Sequence, residues 1–202
     1  MLTRVVGIDP GLDGALAVLD LHQGGAVLHV TRVTPTPTLT VTVRKRRRRE
    51  YDIPGMWRLV IDAIAPAAVR IAVVAVEHQG PRPKEGVVSS FRTGLGFGLW
   101  RGLIVAAQLP LAIVTPQAWR REYGLIGGGK HASIRCAVER FPTYPSALTR
   151  HDGAADAILI AGFAARRHAM PTVPDASQPS DPAPAAALPS PTDTPSSRVP
   201  TA

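Results

Sequence analysis

The sequence predicts an α/β fold, a mixed β-sheet with helices packed on its faces. Three observations lead there. Strand-like runs follow one another without a helix near the N-terminus, a six-residue apolar run (Ile71–Val76) comes after a helical stretch, and helical spacing dominates the second half.

The elements follow in order. Val5, Val6 and Ile8, then Ala15–Leu21, read as two strands joined by the turn-forming Pro10–Gly14. Val27–Val33 and Leu39–Val43 extend the run of strands, so an antiparallel meander is expected. Met56, Leu59, Val60 and Ile64 recur at helical spacing. Ile71–Val76, with three Val and one Ile, has the composition of a strand buried on both faces. A strand arriving after a helix implies a parallel crossover. Ser89–Ala107 is a helix despite its glycines, Leu111–Val114 a short strand, and Ala132–Phe141 and Asp152–Arg167 helices.

The chain has 202 residues, enough for one domain with a substantial core. Residues 1–169 form that domain. Residues 170–202 read as a disordered tail, because from Pro171 onward nine of the 20 prolines mix with Ala, Ser, Thr and Asp, leaving too little apolar surface to offset ordering. The net charge is +8, and the tail holds three Asp against one Arg, so the body carries +10. A polyanionic partner is implied, nucleic acid ahead of an anionic membrane surface. The single Cys136 excludes an internal disulfide and reads as a buried thiol. Arg101 and Gln108 interrupt the longest apolar stretch, and Asp9 breaks the N-terminal one, so neither a membrane span nor a signal peptide is expected and the protein is assigned to the cytoplasm.

Two acids stand where strands end. Asp9 follows Val5–Ile8 and precedes Pro10-Gly11, and Glu77 ends the Ile71–Val76 run. An ionised carboxylate beside so apolar a strand is expensive without a compensating cation, although either acid could simply reach solvent or pair with an Arg. A third acidic element is His151-Asp152-Gly-Ala-Ala-Asp156. Its two Asp share a helix face at i, i+4, where like charges repel by about 0.2–0.5 kcal/mol. Thr149-x-x-Asp152 also fits a capping box, a purely structural use of Asp152. Converging carboxylates would suit Mg²⁺ or Mn²⁺, and two such ions would activate a water and stabilise the leaving oxygen of a phosphodiester.

Gly7-Ile8-Asp9-Pro10-Gly11 with Gly14-Ala15, Glu77 closing an apolar strand, and Asp152 and Asp156 opening the last helix resemble the RuvC-type Holliday junction resolvases of the RNase H-like nuclease superfamily. The resemblance covers roughly residues 2–167. Lys45-Arg46-Arg47-Arg48-Arg49-Glu50-Tyr51-Asp52, the Gly94–Gly102 glycine series and Pro116-Gln117-Ala118-Trp119 are most similar to the short phage and prophage members. It implies a five-stranded mixed sheet (a three-stranded antiparallel meander plus two parallel strands), a homodimer, and nicking of branched DNA during recombination, repair or phage DNA processing in a bacterial or phage-infected cell. Two Mg²⁺ per site are implied, with Mn²⁺ as a substitute. Asp9 matches the first metal-bridging carboxylate, Glu77 the second, and Asp156 the acid before Ala in the final helix. The family commonly has its fourth ligand three residues before that Asp, where this chain has Gly153. Asp152, one position earlier, faces the same way on a helix, and His151 is an accessory candidate as ligand or proton carrier.

Arg44–Arg49 is an unbroken run of six cations. On a body of +10 it reads as phosphate contact that positions a duplex without reading sequence, against the alternative of a solvated loop. Lys45, Arg46, Arg47, Arg48, Arg49, Arg82 and Lys84 are the DNA-binding candidates, followed by Arg92, Arg101, Arg120, Arg121, Lys130 and Arg135. The glycine series lacks a preceding strand and is expected to serve close packing, Gly127–Lys130 a hinge, and Phe91, Phe97 and Trp100 the core. Two rival readings remain at this level: a nucleic-acid-binding protein on the same fold without catalysis, and a nuclease acting on flaps, forks or RNA hybrids.

Overall fold

The computed structural model describes residues 2–21, 28–65, 69–81, 83–129, 131–148 and 150–168; Arg82, Lys130, Thr149 and the proposed tail lie outside them. Its strands are β1 (Leu2–Asp9), β2 (Ala15–Leu21), β3 (Leu28–Pro35), β4 (Thr38–Val43), β5 (Arg46–Tyr51), β6 (Val69–Glu77) and β7 (Leu111–Val114). The helices are α1 (Ile53–Ile64), α2 (Val87–Ala106), α3 (Pro116–Glu122), α4 (Ala132–Arg140) and α5 (Asp152–His168). A five-stranded sheet runs β3-β2-β1-β6-β7, antiparallel across β3-β2-β1 and parallel across β1-β6-β7. This is the expected meander with two parallel strands.

Two elements depart from the sequence expectation. Leu39–Val43 belongs to a separate two-stranded ribbon, β4-β5, whose second strand is the basic run itself. The run is therefore neither a loop nor an extension of the main sheet. Arg44 and Lys45 form its two-residue turn with φ of 48° and 63°, left-handed positions that Asn-Gly would fill with less strain. The second departure is α3, which begins right after β7, its start set by Pro116 and by the Thr115 side chain accepting from Ala118 N–H at 3.3 Å.

Period-two alternation divides the sheet between two cores. Val5, Ala17, Leu19, Val73 and Ala75 face α3, α4 and α5, whereas Val6, Ile8, Leu16, Val18, Val74 and Val76 face α1 and α2. Helix α5 is buried from Gly153 to Ala165 except at Asp156. It lies so close to β1 because Gly7 has no side chain: a Cβ there would come 2.2 Å from the Ala157 carbonyl oxygen and 2.4 Å from Ala161 N. On the other face a buried ion pair ties β1, β2 and α1 together. Arg4 donates twice to Asp20, at 2.7 and 3.0 Å, and once to the Ala63 carbonyl at 2.8 Å.

Core expectations hold for Trp100 and Cys136, both buried, and Phe97 is half-buried. Phe91 is corrected: it is 70% exposed, on the outer side of α2. Gly96 alone in the glycine series makes a close approach, to Tyr51 and the Pro10 carbonyl, while Gly94, Gly98 and Gly102 face open space. Gly7→Ala should therefore lower the unfolding free energy by about 3 kcal/mol, the cost of forcing a methyl into a filled space. Gly102→Ala should raise it by roughly 0.5–1 kcal/mol through helix propensity. Chemical denaturation of the two variants checks both signs.

Candidate active site

Asp9 and Glu77 reach one place through strand parity and register. Both are odd-numbered ends on the α5 face, in line with Gly7 and Ala75, which pair across β1 and β6. That alignment depends on an irregularity. Arg4 pairs with Ile71 but Val5 with Val73, so Ala72 is an extra residue in β6. Without it Asp9 would line up with Val76, and Glu77 would lie out of step. The third acid comes from α5: Asp156 precedes Ala157, the residue whose carbonyl abuts Gly7.

Asp9 senses the other two acids. Burial first, then Glu77 and Asp156, raise the Asp9 carboxyl to about 7, against the pull of the Gly11 N–H and Arg120. Gly11 N donates to Asp9 Oδ1 at 3.2 Å. Glu77 is buried, and two side chains hold its carboxylate: Trp119 Nε1 donates to Oε1 at 2.9 Å and Gln79 Nε2 to Oε2 at 2.5 Å. Burial also raises the Asp156 carboxyl, opposed by Ser133 and Arg120. Arg120 Nη2 donates to Asp156 Oδ2 at 3.3 Å, and its guanidinium lies 5.0 Å from the Trp119 ring centroid.

The remaining candidates lie elsewhere. Asp152 is half-exposed and sits 3.0 Å from His131 Nδ1; its charge influences Asp156 but is not among the main influences on Asp9. His151 caps α5, its Nδ1 accepting from Ala154 N–H at 3.0 Å. The ring nitrogen thereby does the work expected of a capping box; the Thr149 half of that box lies outside the described residues. Lys84 is exposed in the loop after β6. Arg48 pairs with Glu50 at 2.6 Å and Arg49 with Asp13 at 2.6 Å. Lys45, Arg46 and Arg47 are exposed on the ribbon.

Sequence reasoning missed the roles of Trp119, Gln79, His131 and Ser133, and grouped Arg120 with the DNA-binding cations. A signal for the first was present: Thr115-Pro116 starts a helix directly after β7, which carries Trp119 back towards Glu77 on the neighbouring strand.

The donor chemistry suits a hard divalent cation. Three carboxylates supply oxygen ligands, and Asp156 Oδ1 is buried without a hydrogen-bond partner. Among the described residues no three acidic, His or Cys side chains already close around one point, and Arg120 supplies the positive charge at Asp156. The side chains must therefore move together, and Arg120 aside, to ligate an ion.

The architecture is an α/β domain built on a mixed five-stranded sheet with flanking helices, and it has likenesses among solved structures. Thermus thermophilus RuvC in complex with a Holliday junction substrate superimposes with a TM-score of 0.53 at 16% identity, over 83% of this chain and 96% of that one. A second Thermus thermophilus RuvC structure gives 0.46 at 19% identity over 83% and 96%. The yeast mitochondrial Holliday junction resolvase Ydc2 gives 0.45 at 16% identity over 80% and 77%. No protein-family model and no curated protein matches the chain. The fold is thus RuvC-like, with the mixed five-stranded sheet and flanking helices.

The raised carboxyl of Asp9 has a thermodynamic signature. Its folded value, about 7, lies above the unfolded 3.8, so the folded state binds the extra proton between those values. Stability from this group is thus gained as pH falls through 7 and lost as it rises. In EDTA, the melting temperature should increase from pH 8 to pH 5, and Asp9→Asn should flatten that slope; a slope unchanged by the substitution would contradict the electrostatic account.

Proposed function

We propose that this protein is a metal-dependent endodeoxyribonuclease that nicks branched DNA, Holliday junctions in the first instance. The observation that supports the reading is that Asp9 and Glu77 end two neighbouring parallel strands and that Glu77 and Asp156 both raise the Asp9 carboxyl. The RuvC-like fold and a body charge of +10 support it. Asp9, Glu77 and Asp156 would hold the Mg²⁺, with Asp152 as the outer candidate once it leaves His131. Bound Mg²⁺ supplies a hydroxide-like nucleophile and charge stabilisation at the phosphate.

The chain's own residues do the rest. Trp119 and Gln79 hold the two oxygens of Glu77 and so set the direction of its carboxylate. Gly11 N–H orients the Asp9 carboxylate. Arg120 neutralises the cluster until an ion does so, and its half-buried guanidinium, once displaced from Asp156, then meets a phosphate oxygen. The basic ribbon attracts the duplex backbone, without reading bases.

A homodimer completes the proposal. Val87 and Phe91 are 87% and 70% exposed on α2, and Val88 and Leu95 add to an apolar row that a second copy would cover.

Asp9→Asn and Glu77→Gln should each reduce cleavage of a labelled four-way junction by at least about 10³-fold, while junction binding in EDTA stays equal or tightens as a repulsive charge is removed. Wild-type protein should bind in EDTA and cut only with Mg²⁺ or Mn²⁺. Cleavage by Asp9→Asn at the wild-type rate would sink the assignment, and binding without cleavage under every metal condition would favour a non-catalytic DNA-binding protein. A panel of flaps, forks and RNA hybrids ranks the substrates. Light scattering should give twice the chain mass for the wild type and the single chain mass for Phe91→Glu; a wild-type monomer at tens of micromolar would remove the dimer.

A further inference from the structure

The basic run does not present its six cations alike. In the β4-β5 ribbon Thr42 pairs with Arg47, Thr40 with Arg49 and Thr38 with Tyr51, so Arg47, Arg49 and Tyr51 share one face. Arg48 and Glu50 lie on the other and pair with each other. At the tip, Arg44 and Lys45 occupy the turn. Neither they nor Arg46 and Arg47 contact a protein carboxylate among the described residues, which leaves four charges for phosphates.

Nearer the base of the ribbon the side chains reach the neighbouring turn, Arg49 at the surface and Tyr51 half-buried. Arg49 Nη1 donates to Asp13 Oδ1 at 2.6 Å, and its Nη2 donates to the Leu12 carbonyl. Two residues on, the Tyr51 hydroxyl donates to the carbonyls of Pro10, at 3.3 Å, and Arg92, at 3.4 Å. Pro10, Leu12 and Asp13 belong to the turn that follows Asp9 and carries the Gly11 N–H held by its carboxylate. The same turn touches α5 on its other side, since a Cβ on Gly153 would lie 2.1 Å from the Asp13 carbonyl oxygen. The ribbon and α5 therefore grip the Asp9 turn from two sides.

Resting on the nuclease reading above, we infer that Arg49 is a positioning residue for the acid cluster and not a DNA contact, and that phosphate binding within the run belongs to Arg44, Lys45, Arg46 and Arg47. Both Nη atoms of Arg49 are engaged, by Asp13 and by the Leu12 carbonyl, so a phosphate drawing the guanidinium away would compete with the bonds that hold the turn orienting Asp9. Its charge is already met by Asp13, so it releases no counterion when DNA binds. The tip cations do, and each contributes to the salt dependence of binding.

Junction binding in EDTA across a salt series, together with Mg²⁺-dependent turnover, separates the two roles. Arg47→Ala should weaken binding about five-fold and reduce the magnitude of the log–log salt slope by about one. Arg49→Ala should leave the slope at its wild-type value and lower turnover at saturating junction about ten-fold, with the half-saturating concentration shifted less than two-fold. Arg49→Lys should recover part of that turnover. Asp13→Ala should lower turnover as Arg49→Ala does, and the double variant should be no slower than either single one. A slope flattened by Arg49→Ala as much as by Arg47→Ala, or wild-type turnover in Arg49→Ala, overturns the inference. Hydrogen exchange at residues 10–14 provides a readout independent of cleavage: it should quicken in Arg49→Ala and not in Arg47→Ala, and equal rates in both overturn the inference. Should the wild type cut no substrate, the nuclease reading fails while the salt slopes and exchange rates still decide the role of Arg49.

Discussion

The site depends on a backbone-to-backbone contact between the first strand and the last helix. Gly7 lets the Ala157 carbonyl and Ala161 N stand where a side chain would be, and α5 meets the contact with alanines. A helix held at that distance brings Asp156 alongside Asp9, two residues beyond Gly7 on the same face of β1. Any larger residue at Gly7 would lift α5 and separate the acids, however well each element formed alone. Gly153 repeats the arrangement at the start of α5, against the turn after Asp9.

Clustering carboxylates in this way opposes folding, and the molecule moderates the cost with specific partners. Glu77 receives two side-chain donors, Asp9 a backbone N–H, and Asp156 the Arg120 guanidinium. Burial above all, with Glu77 and Asp156 adding to it at Asp9, keeps the carboxyls of Asp9 and Asp156 raised. The Arg4–Asp20 pair contrasts with the cluster: a complete bidentate match with a third bond to α1 serves architecture alone.

Positive charge is organised by secondary structure as much as by amount. A run of six cations would repel itself in a loop, yet here the ribbon alternates its members between faces, and Glu50 and Asp13 each neutralise one of them. The tip stays electropositive while the base is locked onto the turn after Asp9. Charge counting sees one patch in this run; the hydrogen bonds divide it into two parts with different surroundings.

Much of the fold was legible because burial periodicity is local. Val5 to Ile8, Ile71 to Val76 and the alanine-rich α5 announce themselves by alternation or continuous apolarity, and Asp9, Glu77 and Asp156 stand out because each breaks such a pattern. The ribbon was not legible, since a strand of Arg46–Arg49 has no apolar face to detect. Register was not legible either: the extra Ala72 that aligns Glu77 with Asp9 looks like any other residue of an apolar run. The sequence by itself determined which acids interrupt apolar elements, which face of each strand they take, and the sign of the charge around them. Only the tertiary structure decided that Asp152 turns to His131, that His151 caps a helix, and that Arg120 and Trp119 enter the cluster. Those outcomes depend on how elements far apart in the chain pack and pair, and local pattern carries no information about where a distant neighbour arrives.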